Sequence, residues 1–316
     1  MVKVENLVAF QKQVGEIKFL GSLIWYSVSD MRVNRERLEE AFAEAGIDPA
    51  LLPKPICPRD AFRRACYAGE VKGIPLVDRE GRINIMVREV RTDKEAIIRQ
   101  VVREVVDSRN IRLEYVPLAR VELRGDKIED LPLVENPVLR EAGAAAVKRI
   151  RDAFAVEAEC YNGQAIRELI GRILYTCRPV SVRPSGGVYF VPAQYDDMLE
   201  KLKSLAKELS TAGGSVQMWT VPVVDAEEQR RMVKVSLEEQ VKEEADRLLH
   251  EMDPYIRGEA KVTEKVARRY AERVRELRAM VKEYQEMLET QAVTASSNLE
   301  LVQMQAMALL DKVEVA

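Results

Sequence analysis

Apolar positions recur with a strand period in some stretches of the chain and with a helical period in others, and the two kinds are interleaved up to about residue 225. Ile17–Val28 (IKFLGSLIWYSV) reads as a strand ending in an aromatic pair, Trp25 and Tyr26. Asn34 is placed to cap a helix that runs through Ala45 and stops at Gly46. A stiff turn, LLPKPICP, precedes a short helix, AFRRACY, and Ile83–Val90 (INIMVREV) reads as a strand. From Asp93 onward, Ile97, Ile98, Val101, Val102, Val105 and Val106 recur at helical spacing. That spacing predicts a helix, although the β-branched content argues for a strand. Ile111–Leu123 is extended and interrupted by Pro117. Residues 1–137 are therefore expected to form a mixed α+β domain rather than a doubly wound sheet.

The next stretch changes character. A helix over roughly Ala144–Cys160 is separated by Tyr-Asn-Gly from a second one striped by Ile166, Leu169, Ile170, Ile173 and Leu174. Val180 and Val182 then alternate with Ser181 and Arg183, Pro-Ser-Gly-Gly turns, and Val188–Val191 returns. Helix, short turn, helix and hairpin is the order of a winged-helix module, whose second helix can enter a DNA major groove. A helix over Tyr195–Ser210, ended by Gly213-Gly214, leads to a strand over Val216–Val224. That strand is expected to pair with the hairpin, with Pro222 marking an edge. Residues 138–225 thus read as a winged-helix-like domain with a small antiparallel sheet.

Residues 226–316 read as almost wholly helical. Val233, Leu237, Val241, Ala245, Leu248 and Met252 form one stripe, and Val262 through Leu288 form another, including Val274, Leu277 and Val281. With Asp253-Pro254 and Gly258 between them, two long helices predict an antiparallel, coiled-coil-like hairpin, about 40 Å long at 1.5 Å per residue. A last helix starts at Ser296 or Ser297. The fold class is α+β in three successive regions.

Composition narrows the function. With 49 Lys and Arg against 52 Asp and Glu the net charge is −3, so a nucleic-acid surface requires local segregation of charge. No run of about 18 apolar residues exists, and the first residues lack a secretory core, so a cytoplasmic protein is expected. Cys57, Cys66, Cys160 and Cys177 have no CxxC spacing, and His250 is the one histidine, so neither a metal site nor a histidine triad is expected. There is no GxxxxGK[ST] loop. The carboxylates Glu238-Glu239 and Glu243-Glu244 read as a solvated helix face. No catalytic residue and no cofactor is indicated, and a binding protein is the expectation.

Three segments carry candidate binding chemistry. Across Lys148–Arg183 basic residues exceed acidic ones by three. In a winged helix, Gln164, Arg167 and Arg172 would face base edges and phosphates, with Arg183 on the wing. The alternative is a helix and hairpin that simply pack, with solvated arginines. Helix 261–282 has a balance of +5 and follows an acidic helix. Either the two faces complement each other, or Leu237, Val241, Leu248, Val274, Leu277, Val281 and Leu288 zip onto a partner or a second copy. Third, arginines lie beside aromatics in Trp25–Arg37 and in Pro58–Arg64. They can stack on bases, or staple a loop to a sheet through Asp30 and Asp60.

The strings WYSVSDMRV, PRDAFRRA and SGGVYFVP resemble those of a family of uncharacterised proteins of bacteria, archaea and their phages and plasmids, over about residues 15–225. The resemblance implies a mobile-element or viral context; it implies no chemistry and transfers no functional residue. The expectation is a non-enzymatic protein that associates with DNA through the winged-helix-like module. The alternative is a scaffold that oligomerises through the helical hairpin without nucleic acid.

Overall fold

The computed structural model describes residues 18–76, 80–183, 186–211, 214–289 and 293–314. The N-terminal stretch read for a signal, Ile17, Pro184-Ser185 of the hairpin turn and Gly213 lie outside the described residues. The first elements among the described residues are β1 (Phe19–Val28), β2 (Arg32–Asn34), α1 (Arg35–Ala45) and α2 (Pro58–Cys66). Five strands follow: β3 (Val71–Pro75), β4 (Arg82–Thr92), β5 (Ala96–Val106), β6 (Arg112–Arg124) and β7 (Lys127–Pro132). Next come α3 (Pro137–Glu159), β8 (Cys160–Asn162), α4 (Gly163–Tyr175), β9 (Val180–Ser181) and β10 (Tyr189–Pro192). α5 (Asp196–Thr211), β11 (Val216–Val224), α6 (Glu227–Ile256), α7 (Glu264–Leu288) and α8 (Val293–Glu314) follow. The class is α+β.

Two compact units are formed from segments distant in sequence. Of the described residues, one comprises those up to Ser27, Ile170–Lys207 and those from Val216 onward; the other comprises Val28–Leu169 with Glu208–Ser215. The division falls inside α4 and inside α5, where a partition into consecutive regions has no reason to look.

The second of these units is built on a five-stranded antiparallel meander, β3-β4-β5-β6-β7. Helices α2 and α3 cover one face: Phe62, Ala65 and Cys66 of α2 and Ala146, Val147 and Ile150 of α3 share a core with Ile97, Val101, Val121 and Leu123. Burying Phe62, Val147 and Ile150 contributes about 1.5–3 kcal/mol each, the alanines less, and is the main force holding the helices on the sheet. A separate two-stranded pair, β2 with β8, sets Val33 opposite Tyr161. Asn34 caps α1, accepting from Arg37 N at 2.9 Å, and Gly46 closes it in the left-handed conformation.

The helix expected over residues 93–106 is not there. Those residues form the turn before β5 and then β5 itself, the central strand, paired with β4 on one side and β6 on the other. Asp93 is a turn residue: its Oδ1 accepts from Glu95 N and Ala96 N, and its own N–H donates to Ala96 O. The β-branched side chains favour the strand, and full pairing on both edges outweighs the weak helical spacing.

In the other unit the sheet order is β11-β1-β10-β9. The expectation that β11 pairs with the hairpin is corrected: β1 lies between them, in antiparallel register with β10 from Gly21↔Pro192 to Ile24↔Tyr189. Trp25 and Trp219 stack at 6.0 Å between ring centroids. Phe190 of β10 meets Tyr284 of α7 edge-to-face, and Tyr284 donates to Arg178 O at 2.8 Å. The core continues through α6 and α7 and takes in Leu299, Val302, Ala306 and Leu309 of α8. Arg273 of α7 donates to Glu244 and Glu251 of α6, both at 2.6 Å, so the acidic and basic helices complement each other at that point.

Candidate nucleic-acid interface

Helix α4 starts where Asn162 Oδ1 accepts from Ala165 N at 2.9 Å. Gly163 is required at its first position, because a Cβ there would meet Ser29 O at 2.5 Å. Ile166, Leu169, Ile170, Ile173 and Leu174 are buried, whereas Gln164, Arg167, Glu168, Arg172 and Tyr175 are exposed. The helix is therefore amphipathic, with the polar residues at i, i+3, i+4, i+8 and i+11 of one face.

Hydrogen bonds already occupy part of this face. Gln164 Nε2 donates to Glu168 Oε1, and Gln164 Oε1 accepts from Arg167 Nη1, both at 2.8 Å. Arg167 Nη2 also donates to Val28 O at 2.8 Å. A base or phosphate contacted by Gln164 or Arg167 competes with these bonds. Arg172 and Arg183 are exposed, and both belong to the unit that contains β9 and β10; Gln164 and Arg167 belong to the other. In the hairpin unit, Arg178 pairs with Glu283, on which Gln194 and Tyr195 also converge. Arg178 is thus a structural side chain.

The residues read as a partner or oligomer seam occupy a different environment. Leu237, Val241, Leu248, Val274, Leu277, Val281 and Leu288 are all buried in the core that α6, α7 and α8 share. The arginines beside aromatics also have internal partners. Arg32 and Arg64 donate to the two oxygens of Glu157, at 2.8 and 2.5 Å, and Arg35 donates to Tyr161 Oη and Pro53 O. Arg63 pairs with Asp60 at 2.7 Å, whereas Asp30 is a distant partner of Arg32 at 3.7 Å. Neither Asp30 nor Asp60 staples a loop to the sheet; Glu157, which the sequence spacing does not reveal, is the carboxylate that joins Arg32 and Arg64.

The four cysteines are free thiols: Cys57 is exposed, Cys66 and Cys177 are buried. Burial pushes the thiols of Cys66 and Cys177 up to about 11. Among the described residues no group of three or more His, Cys, Asp or Glu side chains is arranged to hold a metal ion. No helix among them is long and apolar enough to cross a membrane.

Residues 19–315 match the model of a family of unknown function, DUF6744. The chain belongs to that family. The match extends through the C-terminal helices, beyond the residues 15–225 that carry the recognisable strings, so α6, α7 and α8 are part of what defines a DUF6744 member. No curated protein and no solved structure matches the chain.

One charged surface of this DUF6744 protein escaped the sequence reading altogether. On the face of the meander opposite α2 and α3, register aligns Arg88, Gln100 and Arg120 in one cross-strand row and Asn84, Glu104 and Tyr115 in another. Arg88 and Arg112 reach Glu104 at 3.0 Å each; Arg120 reaches Glu122 at 2.9 Å and Arg124 reaches it at 2.6 Å. The Arg-x-Glu-x-Arg alternation over 120–124 was the available signal. It becomes legible only once 96–106 is assigned to the neighbouring strand.

Proposed function

We propose that the protein is a non-enzymatic binding protein that associates with duplex DNA through the polar face of α4 and the following hairpin. A partner or mobile-element setting would be served by the C-terminal helices. The observation that carries the reading is the amphipathic α4: exposed Gln164, Arg167 and Arg172 oppose a buried apolar face, and a hairpin with exposed Arg183 just after its first strand follows. Arginine and glutamine supply the donors that phosphates and purine edges accept. The test is fluorescence anisotropy of the full chain with a labelled duplex at two salt concentrations. Arg172→Ala with Arg183→Ala is expected to lower the salt slope by about 1.8, at about 0.9 per duplex phosphate contact. Unchanged affinity and slope would refute the reading.

A second reading, self-association without nucleic acid, is favoured by one feature. Leu301, Met304 and Met307 are exposed on α8, on the side away from buried Val302, Ala306 and Leu309. Light scattering distinguishes the two, since a monomer that Met304→Glu leaves unchanged removes this alternative.

A further inference from the structure

We infer that the arginine-lined face of the five-stranded sheet binds the phosphodiester backbone of single-stranded nucleic acid. Successive residues of a strand point to opposite faces, so one register decides both. Ile83, Ile85, Val87, Val101, Val121 and Leu123 belong to the core with α2 and α3. Their neighbours therefore form the other face, where Ile98, Val102 and Val106 are buried and the arginines are exposed. Two irregularities in the β5–β6 pairing, between Val101 and Val102 and between Val105 and Val106, let β6 change parity, so that Arg112, Tyr115 and Arg120 all share that side.

The face is built in two layers. Glu104 and Glu122 lie at its floor, with side chains 7% and 10% exposed. Each holds two arginines, and those four side chains remain 43% to 60% exposed. Two cations around one carboxylate leave an excess of one positive charge per cluster. Each guanidinium has five N–H donors and spends only part of them on its carboxylate. The rest are pre-oriented toward solvent, which lowers the ordering cost of binding an oxyanion. Arg82 and Lys127 extend the positive surface along the same side of β4 and β7. A chain of net charge −3 thus concentrates cations on one sheet face.

Two features select a single strand. A five-stranded sheet is about 19 Å wide at 4.8 Å per strand, whereas a duplex major groove is about 12 Å across and admits a helix or a two-stranded ribbon. A single strand can instead lie across the sheet and turn its bases onto it. Exposed Tyr115 offers a ring for stacking, with the Arg112 guanidinium 5.1 Å from its centroid. Beside Arg120, a hollow of about 200 Å³ is lined by Glu122, Glu129 and Leu131.

The test uses the full chain and two labelled probes, a single-stranded oligonucleotide and a duplex, at 0.05 and 0.2 M salt. Arg88→Ala with Arg120→Ala should lower the single-strand salt slope by about 1.4, weakening binding about tenfold at the higher salt and about sixtyfold at the lower. Because those changes expose buried carboxylates, Arg82→Gln with Lys127→Gln serves as the second variant. It touches neither Glu104 nor Glu122, and the same fall in slope is expected. Wild-type affinity for the single strand in the second variant overturns the inference, as does a loss confined to the duplex. Loss with Arg172→Ala and Arg183→Ala alone would leave the α4 reading standing without the sheet. Absence of binding by the wild-type chain to either probe would remove both.

Discussion

Glu157→Gln tests whether the second unit is fastened by charge. The side chain is 11% exposed and stands in the last turns of α3, where the helix dipole disfavours an anion. Arg32 of β2 and Arg64 of α2 hold it there, so one carboxylate ties three elements together. A fully buried pair broken on one side costs about 3–5 kcal/mol, but these arginines are 41% and 39% exposed, and water recovers much of that. Gln keeps one acceptor, so one of the two bonds weakens, and it presents an NH2 donor in place of the other oxygen, so the second bond is lost; each change costs about 1 kcal/mol. Relief of the dipole returns about 0.5 kcal/mol. The net expectation is about 1.5 kcal/mol, or a urea midpoint lower by about 0.7 M at a slope near 2 kcal/mol/M. Far-UV circular dichroism is the assay, with exchange of the β2 and β8 amides as the local reporter. Indole fluorescence is unsuitable, since Trp25 and Trp219 both lie in the other unit. Arg64→Met should cost a similar amount and couple to Glu157→Gln by about 1 kcal/mol. A midpoint shift below about 0.2 M, or strictly additive variants, would show that the carboxylate is solvated and the hub reading mistaken.

Gly21→Ala should destabilise the sheet of the first unit by more than about 2 kcal/mol in a thermal melt, because the new Cβ meets the backbone of Val191 and Pro192 on paired β10. Thiol titration of the native protein at pH 8 should show Cys57 reacting fast, while Cys66 and Cys177, held protonated by burial, react only on unfolding. Their folded values stand above the ordinary 9.0, so the folded state keeps protons that the unfolded chain releases. Stability is therefore intact below pH 9 and falls as pH rises toward about 11, and Cys66→Ser with Cys177→Ser should flatten that fall in urea melts at pH 8 and 10.5.

Much of the local structure was legible because it rests on local chemistry. Asn34 and Gly46 bound α1 as their capping preferences dictate, and α4, α5, β4 and β11 lie where periodicity puts them. The helix expected over 93–106 shows where period alone misleads. On the helix-covered side of β5 the order is Ile97, Arg99, Val101, Arg103, Val105; on the arginine-lined side it is Ile98, Gln100, Val102, Glu104, Val106. Each face alternates apolar with polar, so along the chain apolar pairs recur every four residues. Four is close to 3.6, and the pattern passes for a helix. The six β-branched side chains carried the contrary signal, and pairing with β4 and β6 decided for it.

The same difference between neighbours in sequence and neighbours in space governs how a charge count should be used. Over Lys148–Arg183 the surplus of basic residues looks like a footprint. Yet Arg149 donates to Ala68 O and Gly69 O, Arg151 pairs with Asp130, and Arg178 pairs with Glu283. Those cations neutralise internal acceptors, so the part left for a ligand is smaller than the tally. Arg88, Arg112, Arg120 and Arg124 lie on two strands with β5 between them, and no window along the chain collects them. Antiparallel register does so, and the two floor carboxylates fix their spacing before any ligand arrives. Salt slopes measured on the two variant pairs therefore weigh geometry against tally: the dispersed arginines should show the larger fall with single strands, because their unused donors already face solvent.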